Sequence, residues 1–96
     1  MDWVWSDQKN RTNKRDHGLR FETARLVFND HLAISRPDGH PDEDRWQTVG
    51  LVATVILFVV HTWPEPDLAT GDEIGRIISA RKATSHERRA YDEGHF

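Results

Sequence analysis

Arg76-Ile77-Ile78-Ser79-Ala80-Arg81-Lys82-Ala83, followed at once by Thr84-Ser85-His86-Glu87-Arg88-Arg89-Ala90-Tyr91, reads as a strand running straight into a capped helix. Thr84 and Glu87 stand at capping-box spacing, and Gly94 marks the helix end. The strand, read over residues 73–82, carries Arg76 and ends in Arg81 and Lys82, and the helix adds Arg88, Arg89 and Tyr91. Guanidinium groups match phosphate geometry bidentately, so a rigid strand presenting them suits a phosphate-rich ligand. An ideal strand puts Arg76 and Lys82 on one face and Arg81 on the other. Convergence of the three therefore requires a bulge, a twist or a strand end near Arg81. The plainer reading is a solvated, charged edge.

Upstream of this stretch, residues 45–52 and 54–62 read as two long strands joined by a turn near Ala53. The second is apolar on both sides, with Val55, Leu57 and Val59 on one and Ile56, Phe58 and Val60 on the other. That pattern belongs to a central strand covered on both faces. Trp63-Pro64-Glu65-Pro66 ends it, because proline has no place in a central ladder. Residues 32–35 form a further short strand that leads into the turn-rich Pro37-Asp38-Gly39-His40-Pro41.

Near the start, Trp3 and Trp5 alternate with other residues as in a short strand. Residues 7–16 are helical by composition, capped by Ser6 or Asp7 and stopped by Gly18. This helix has no large apolar residue, and Arg11, Lys14 and Arg15 share one side of it. Residues 21–28 form a second helix with the apolar stripe Phe21, Ala24, Val27 and Phe28. The expected order is β-α-α-β-β-β-β-α. Closely spaced consecutive strands predict an α+β domain with an antiparallel sheet and helices packed on it.

The 96 residues make a single domain, spanning 1–96, with a small core and no room for a large catalytic cavity. The formal net charge of −3 argues against wholesale adhesion to nucleic acid, but the charges are segregated. Lys9, Arg11, Lys14, Arg15 and Arg20 cluster early and Arg76 to Arg89 late. Acidic residues fill the loops between them. The chain has no cysteine, which excludes thiolate chemistry and fits a reducing cytoplasm. No signal peptide is visible, and the apolar run near residues 49–60 is too short to span a bilayer.

No metal site is expected, because none of the histidines pairs with a second ligand at helical spacing. The absence of a glycine-rich phosphate loop argues against nucleotide hydrolysis. RNA cleavage by its own 2′-hydroxyl remains open, since it needs cations at the phosphate, a base and an acid, and no cofactor. Arg76, Arg81, Lys82 and Arg45 supply the cations. His61, His17, Lys14 and Tyr91 are candidate proton carriers. His61 also reads as a structural histidine at the end of a buried strand, His17 as a helix-end residue, Tyr91 as core and Trp46 as a packing residue or a base-stacking one.

The whole chain resembles the BrnT family of type II toxin–antitoxin toxins. The resemblance is carried, in order, by Trp5-Ser6-Asp7 with Lys9, Asn13-Lys14-Arg15-Asp16-His17-Gly18, Phe21-Glu22-Thr23-Ala24, Arg45-Trp46-Gln47-Thr48-Val49-Gly50, Val59-Val60-His61-Thr62 and the stretch from Arg76 to Tyr91. Each piece alone is weak, and the ordered set is specific. It implies a RelE-like fold and a cytoplasmic ribonuclease that stops translation. Its partner would be a BrnA-type antitoxin with a ribbon-helix-helix part, which reaches DNA on the toxin's behalf in a hetero-oligomer. Arg76, Arg81, Lys82, Arg45 and His61 are the catalytic candidates. Lys9, Lys14, His17, Arg88, Arg89 and Tyr91 are the candidates for holding RNA. Pro64 to Gly71 departs from the family pattern as a loop extension. The alternatives are a non-catalytic toxin subunit serving only in a repressor complex, and a stand-alone nucleic-acid-binding domain. Replacing Arg81 by alanine is expected to abolish activity without affecting stability.

Overall fold

The computed structural model describes residues 2–96. Its elements are β1 (Asp2–Val4), α1 (Asp7–His17), α2 (Phe21–Ala24), a 3₁₀ turn (Arg25–Asn29), β2 (Ile34–Pro37), β3 (Arg45–Val52), β4 (Val55–Thr62), β5 (Glu65–Pro66), β6 (Glu73–Lys82) and α3 (Ser85–Glu93). The sheet runs β1-β6-β4-β3-β2, and β5 pairs with the start of β6. The α+β class is as expected, but the sheet is mixed rather than antiparallel, because β1 runs parallel to β6. A second difference is β5. Pro64 ends β4 as predicted, yet the chain re-pairs for two residues, Glu65 with Ile74 and Pro66 with Glu73.

Local chemistry explains the shifted boundaries. The second helix is α-helical only over Phe21–Ala24 and tightens into 3₁₀ geometry over Arg25–Asn29. Asp30 then accepts the Leu32 N–H at 3.0 Å, a side-chain-closed turn that delays β2 to Ile34. At the β3–β4 hairpin, Val52 pairs with Val55 and Ala53 takes φ 54. Two-residue hairpins need positive φ at this place to match sheet twist, so a non-glycine residue carries strain there.

One irregularity fixes which side chains share a face. Val60 pairs with Ser79, but His61 pairs with Ile77, which leaves Ile78 as a bulge in β6. The bulge inverts the alternation along the strand. Ile77 and Ala80 therefore pack in one cluster with Phe21, Ala24, Val27, Leu57 and Val59. Arg76, Ser79 and Arg81 point to the opposite side, and Arg81 lies over the Phe58 ring. The expectation that Arg76 and Arg81 face apart is thus corrected, while Lys82 is the residue left on the other face.

The first face is closed by α1, α2 and the 3₁₀ turn, with Trp3 stacked on Phe28 at a centroid distance of 3.9 Å. Trp3 lies so close over Gly75 that a Cβ there would stand 2.5 Å from its ring, so only glycine fits. The second face is covered at one end only, where Val49, Phe58, Val60 and Ala83 meet Tyr91 and Phe96.

The polar helix α1 has an unusual means of attachment. Past the end of β1, the free edge of β6 is met by the Asn13 side chain. Its amide donates to Ala80 O at 2.8 Å and accepts from Ala80 N at 3.0 Å. Asn13 thereby stands in for a neighbouring strand. Asn10 accepts the Phe21 N–H at 2.8 Å and donates to Glu22 at 2.8 Å, tying α1 to the start of α2. These amides do the docking that an apolar stripe does elsewhere, and they leave the cationic side of α1 to solvent.

Candidate functional site

The half-covered sheet face carries a row of arginines from three strands. At the α3 end, Arg81 forms a two-pronged pair with Glu87, Nη1 to Oε1 at 2.8 Å and Nη2 to Oε2 at 2.9 Å. Its guanidinium carbon sits 4.0 Å from the centre of the Phe58 ring. Glu87 is itself buried, and it closes the capping box by accepting the Thr84 N–H at 2.8 Å. Burial pushes the Glu87 carboxyl up, but the Arg81 guanidinium and the Thr84 groups outweigh it and hold it below its ordinary value. Arg81 is raised in turn, chiefly by its hydrogen bond to Glu87. The result is a guanidinium with fixed plane and position.

At the other end, Arg76 Nη2 lies 2.8 Å from both oxygens of Glu43. Arg45 Nε lies 3.8 Å from Glu43 and 3.6 Å from Asp38. Those distances exceed hydrogen-bonding range, and the buried Arg45 Nε has no hydrogen-bond partner. Asp38 accepts from Gln47 at 2.6 Å, and Gln47 accepts from Arg36 at 2.8 Å. Hydrogen bonds and longer ion pairs thus line β2, β3 and β6 on this face. The strand rise places Arg76 roughly 15 Å from Arg81 along β6, so the two arginines can reach only phosphates that are not adjacent on one strand.

The other candidates separate clearly. His61 is completely buried on the closed face, ringed by Trp3, Phe28 and Trp63. Its Nδ1 meets the Thr62 carbonyl at 3.0 Å and its Nε2 meets the Thr48 hydroxyl. The network assigns the proton to Nδ1 and makes Nε2 an acceptor. Burial lowers the His61 pKa, against a smaller upward effect of the Thr62 carbonyl. His61 is thus held as a neutral core group, on the side of the sheet away from Arg76 and Arg81. Trp46 packs against Trp63 with centroids 5.3 Å apart. Tyr91 donates to Asp30 at 2.6 Å, and that bond pushes the phenol up to about 12. Arg88 folds back onto the Ala83 carbonyl at 3.0 Å, and Arg89 is exposed.

Lys9, Lys14 and His17 lie exposed on α1. Lys9 shares a cleft with Ser6, Gln8, Thr12 and the bulged Ile78, beside the arginine row. Arg11, Lys14 and Arg20 line a second cleft between α1 and α2. Among the described residues, no group of three or more histidine, aspartate or glutamate side chains is arranged to hold a metal ion, and no helix is long and apolar enough to cross a membrane.

Residues 5–87 match the family described as ribonuclease toxin, BrnT, of type II toxin–antitoxin system. The chain belongs to the BrnT family. The matched span takes in α1, the sheet from β2 onward and the Arg81–Glu87 pair. Membership in this BrnT family of ribonuclease toxins implies an antitoxin partner. No curated protein matches the chain. Sequence reasoning pairs Arg45 with Asp42 or Glu43, and the structure has the Glu43 pair at 3.8 Å. Sequence reasoning missed Glu43 as the partner of Arg76, Glu87 as the partner of Arg81, and Asn13. Glu87 was legible only as a cap, and the 38–44 loop only as an acidic region with a neighbour's pair to Arg45.

Proposed function

We propose that this chain is a cytoplasmic endoribonuclease toxin that cleaves RNA without a metal ion and so arrests translation and growth. The observation that carries the reading is the row of Arg81, Arg76 and Arg45 on an open sheet face, flanked by an α1 whose Lys9, Arg11 and Lys14 make no ion pair among the described residues. The RNA 2′-oxygen attacks the adjacent phosphorus and the bond to the 5′-oxygen breaks. The proton leaves the 2′-hydroxyl, and the departing 5′-oxygen takes one up. Arg81 holds the negative charge that grows on the phosphate oxygens, and Arg76 and Arg45 together hold a phosphate farther along the strand. Lys9, Lys14, His17 and Arg89 track the backbone. Positioning and charge stabilisation then carry most of the rate. His61 and Lys82 lie toward the other face and take no part in this reading, and Tyr91 acts as a tie to Asp30.

The partner is a BrnA-type antitoxin with a ribbon-helix-helix part, which covers the cationic surface and links the toxin to operator DNA. The test incubates the purified chain with RNA in the presence of EDTA. Cleavage is expected to persist and to leave 2′,3′-cyclic phosphate and 5′-hydroxyl ends, and 2′-methoxy RNA is expected to resist. Chelator-sensitive cleavage with 5′-phosphate ends overturns the mechanism. A second reading, a non-catalytic toxin subunit of a repressor complex, is favoured by one observation: Arg81 and Arg76 are bound to carboxylates of the same chain. That reading gains if the folded chain binds antitoxin and operator yet leaves free and ribosome-bound RNA intact.

A further inference from the structure

Glu43 occupies a singular place on the open face. Its Oε1 lies 2.8 Å from Arg76 Nη2 and 3.8 Å from Arg45 Nε, so guanidiniums from two strands that flank β4 converge on one anion. The pair fixes the Glu43 carboxyl below its ordinary value, first through the Arg76 hydrogen bond. The Arg45 Nε, buried and unpartnered beside it, is a donor that this carboxylate does not reach. A larger tetrahedral anion in the same place can engage both arginines. The 38–44 loop is clipped at its base, with Asp38 N bonded to Arg45 O at 2.8 Å. It also carries Asp42 and Asp44, whose carboxylates pair with no arginine among the described residues. Arg76 and Glu43 remain 49% and 36% exposed, and exposed pairs of this kind are weak enough to exchange.

We propose that the space held by the Glu43 carboxylate is a phosphate subsite of the RNA surface, and that the 38–44 loop is its built-in competitor. The inference rests on the open face being where RNA binds. RNA then enters by displacing Glu43 from Arg76, and the acidic loop sets how strongly the free toxin holds its substrate.

The test measures binding of a short 2′-methoxy single-stranded RNA by fluorescence anisotropy over a series of salt concentrations, using the full chain. Glu43→Gln is expected to bind about three- to fivefold more tightly, the range of one exposed ion pair. Its plot of log affinity against log salt is expected to steepen, because no displaced Glu43 carboxylate takes up a cation when RNA binds. Arg76→Ala placed in the Glu43→Gln chain is expected to remove both gains. Asp42→Asn deletes the same charge from the same loop without touching an arginine. An equal gain from Asp42→Asn, unchanged or weaker binding by Glu43→Gln, or loss of its native circular dichroism overturns the subsite. Absence of RNA binding by every form, wild type included, overturns the proposed function itself.

Discussion

The two faces of the sheet solve the problem of polar groups in opposite ways. On the closed face His61, Thr48 and Ser35 form a short relay of neutral hydrogen bonds among aromatic rings, and Asn13 joins the sheet edge to α1. Every one of these contacts is uncharged, and they serve packing. On the open face most polar groups are charged, they project from three strands, and Arg36, Arg76 and Arg81 each meet a carboxylate or a ring. A buried polar group must be satisfied once and permanently. An exposed charge pair can be exchanged for a ligand at small cost. The difference teaches that the exposed Arg76–Glu43 pair can exchange its partner, whereas the polar contacts of the closed face cannot.

The sharpest break in that comparison targets Arg81. Its fork to Glu87 means that Arg81→Ala strands a buried carboxylate, so the expectation of an unaffected melt does not survive the structure. Arg81→Lys keeps the charge beside Glu87 and loses the fork. Cleavage is expected to fall about a hundredfold or more, with circular dichroism retained. Near-wild-type cleavage by the lysine variant would show that charge alone suffices and that the row is a solvated edge.

On the closed side the corresponding variant is Asn13→Ala. It leaves the Ala80 N–H and C=O without their partner and releases the Leu19 carbonyl as well. Unsatisfied buried groups of this kind predict a loss of about 2–4 kcal/mol in unfolding free energy. Chemical denaturation measures it. A loss of only a few tenths would mean that α1 docks by other contacts and that water replaces the amide.

A gentler probe uses pH, and the single tyrosine makes it clean. The Asp30 hydrogen bond raises the Tyr91 phenol from 10.0 to about 12. A raised folded-state pKa stabilises the fold fully below the unfolded value near 10 and loses that contribution as pH climbs toward about 12. Phenolate absorbance is expected to titrate near 12 in the native chain and near 10 in Asp30→Asn. At the acid end Asp30 and Glu87 run the other way. Both are pushed up by burial and more than compensated, by the Tyr91 hydroxyl and backbone amides for Asp30 and by Arg81 for Glu87. Their contribution is present above the ordinary carboxylate range and fades as pH falls through the lowered values. A native phenol titrating at 10 would show that the Tyr91–Asp30 tie is absent in solution.

Some of this molecule was legible in the chain because the governing physics is local. Thr84 and Glu87 set a cap at fixed spacing, Gly18 and Gly94 end helices by their positive φ, and a doubly apolar run makes β4 a central strand. The ordered pieces from Trp5 to Tyr91 were enough to indicate the family that residues 5–87 match. Other features depend on partners distant along the chain, and spacing carries no signal for them. The parallel pairing of β1 sets Trp3 over the bare surface of Gly75. The Ile78 bulge, which brings Arg76 to the side of Arg81, is an accommodation between β4 and β6. The sequence by itself determined the main helices and strands, their caps and the inventory of cations. Only the tertiary structure decided which cations share a face, that His61 is sealed among rings, and that Glu43 and Glu87 stand against the arginines. Hydrogen-bond periodicity and capping act within a few residues, whereas register and charge pairing are settled only when remote strands meet.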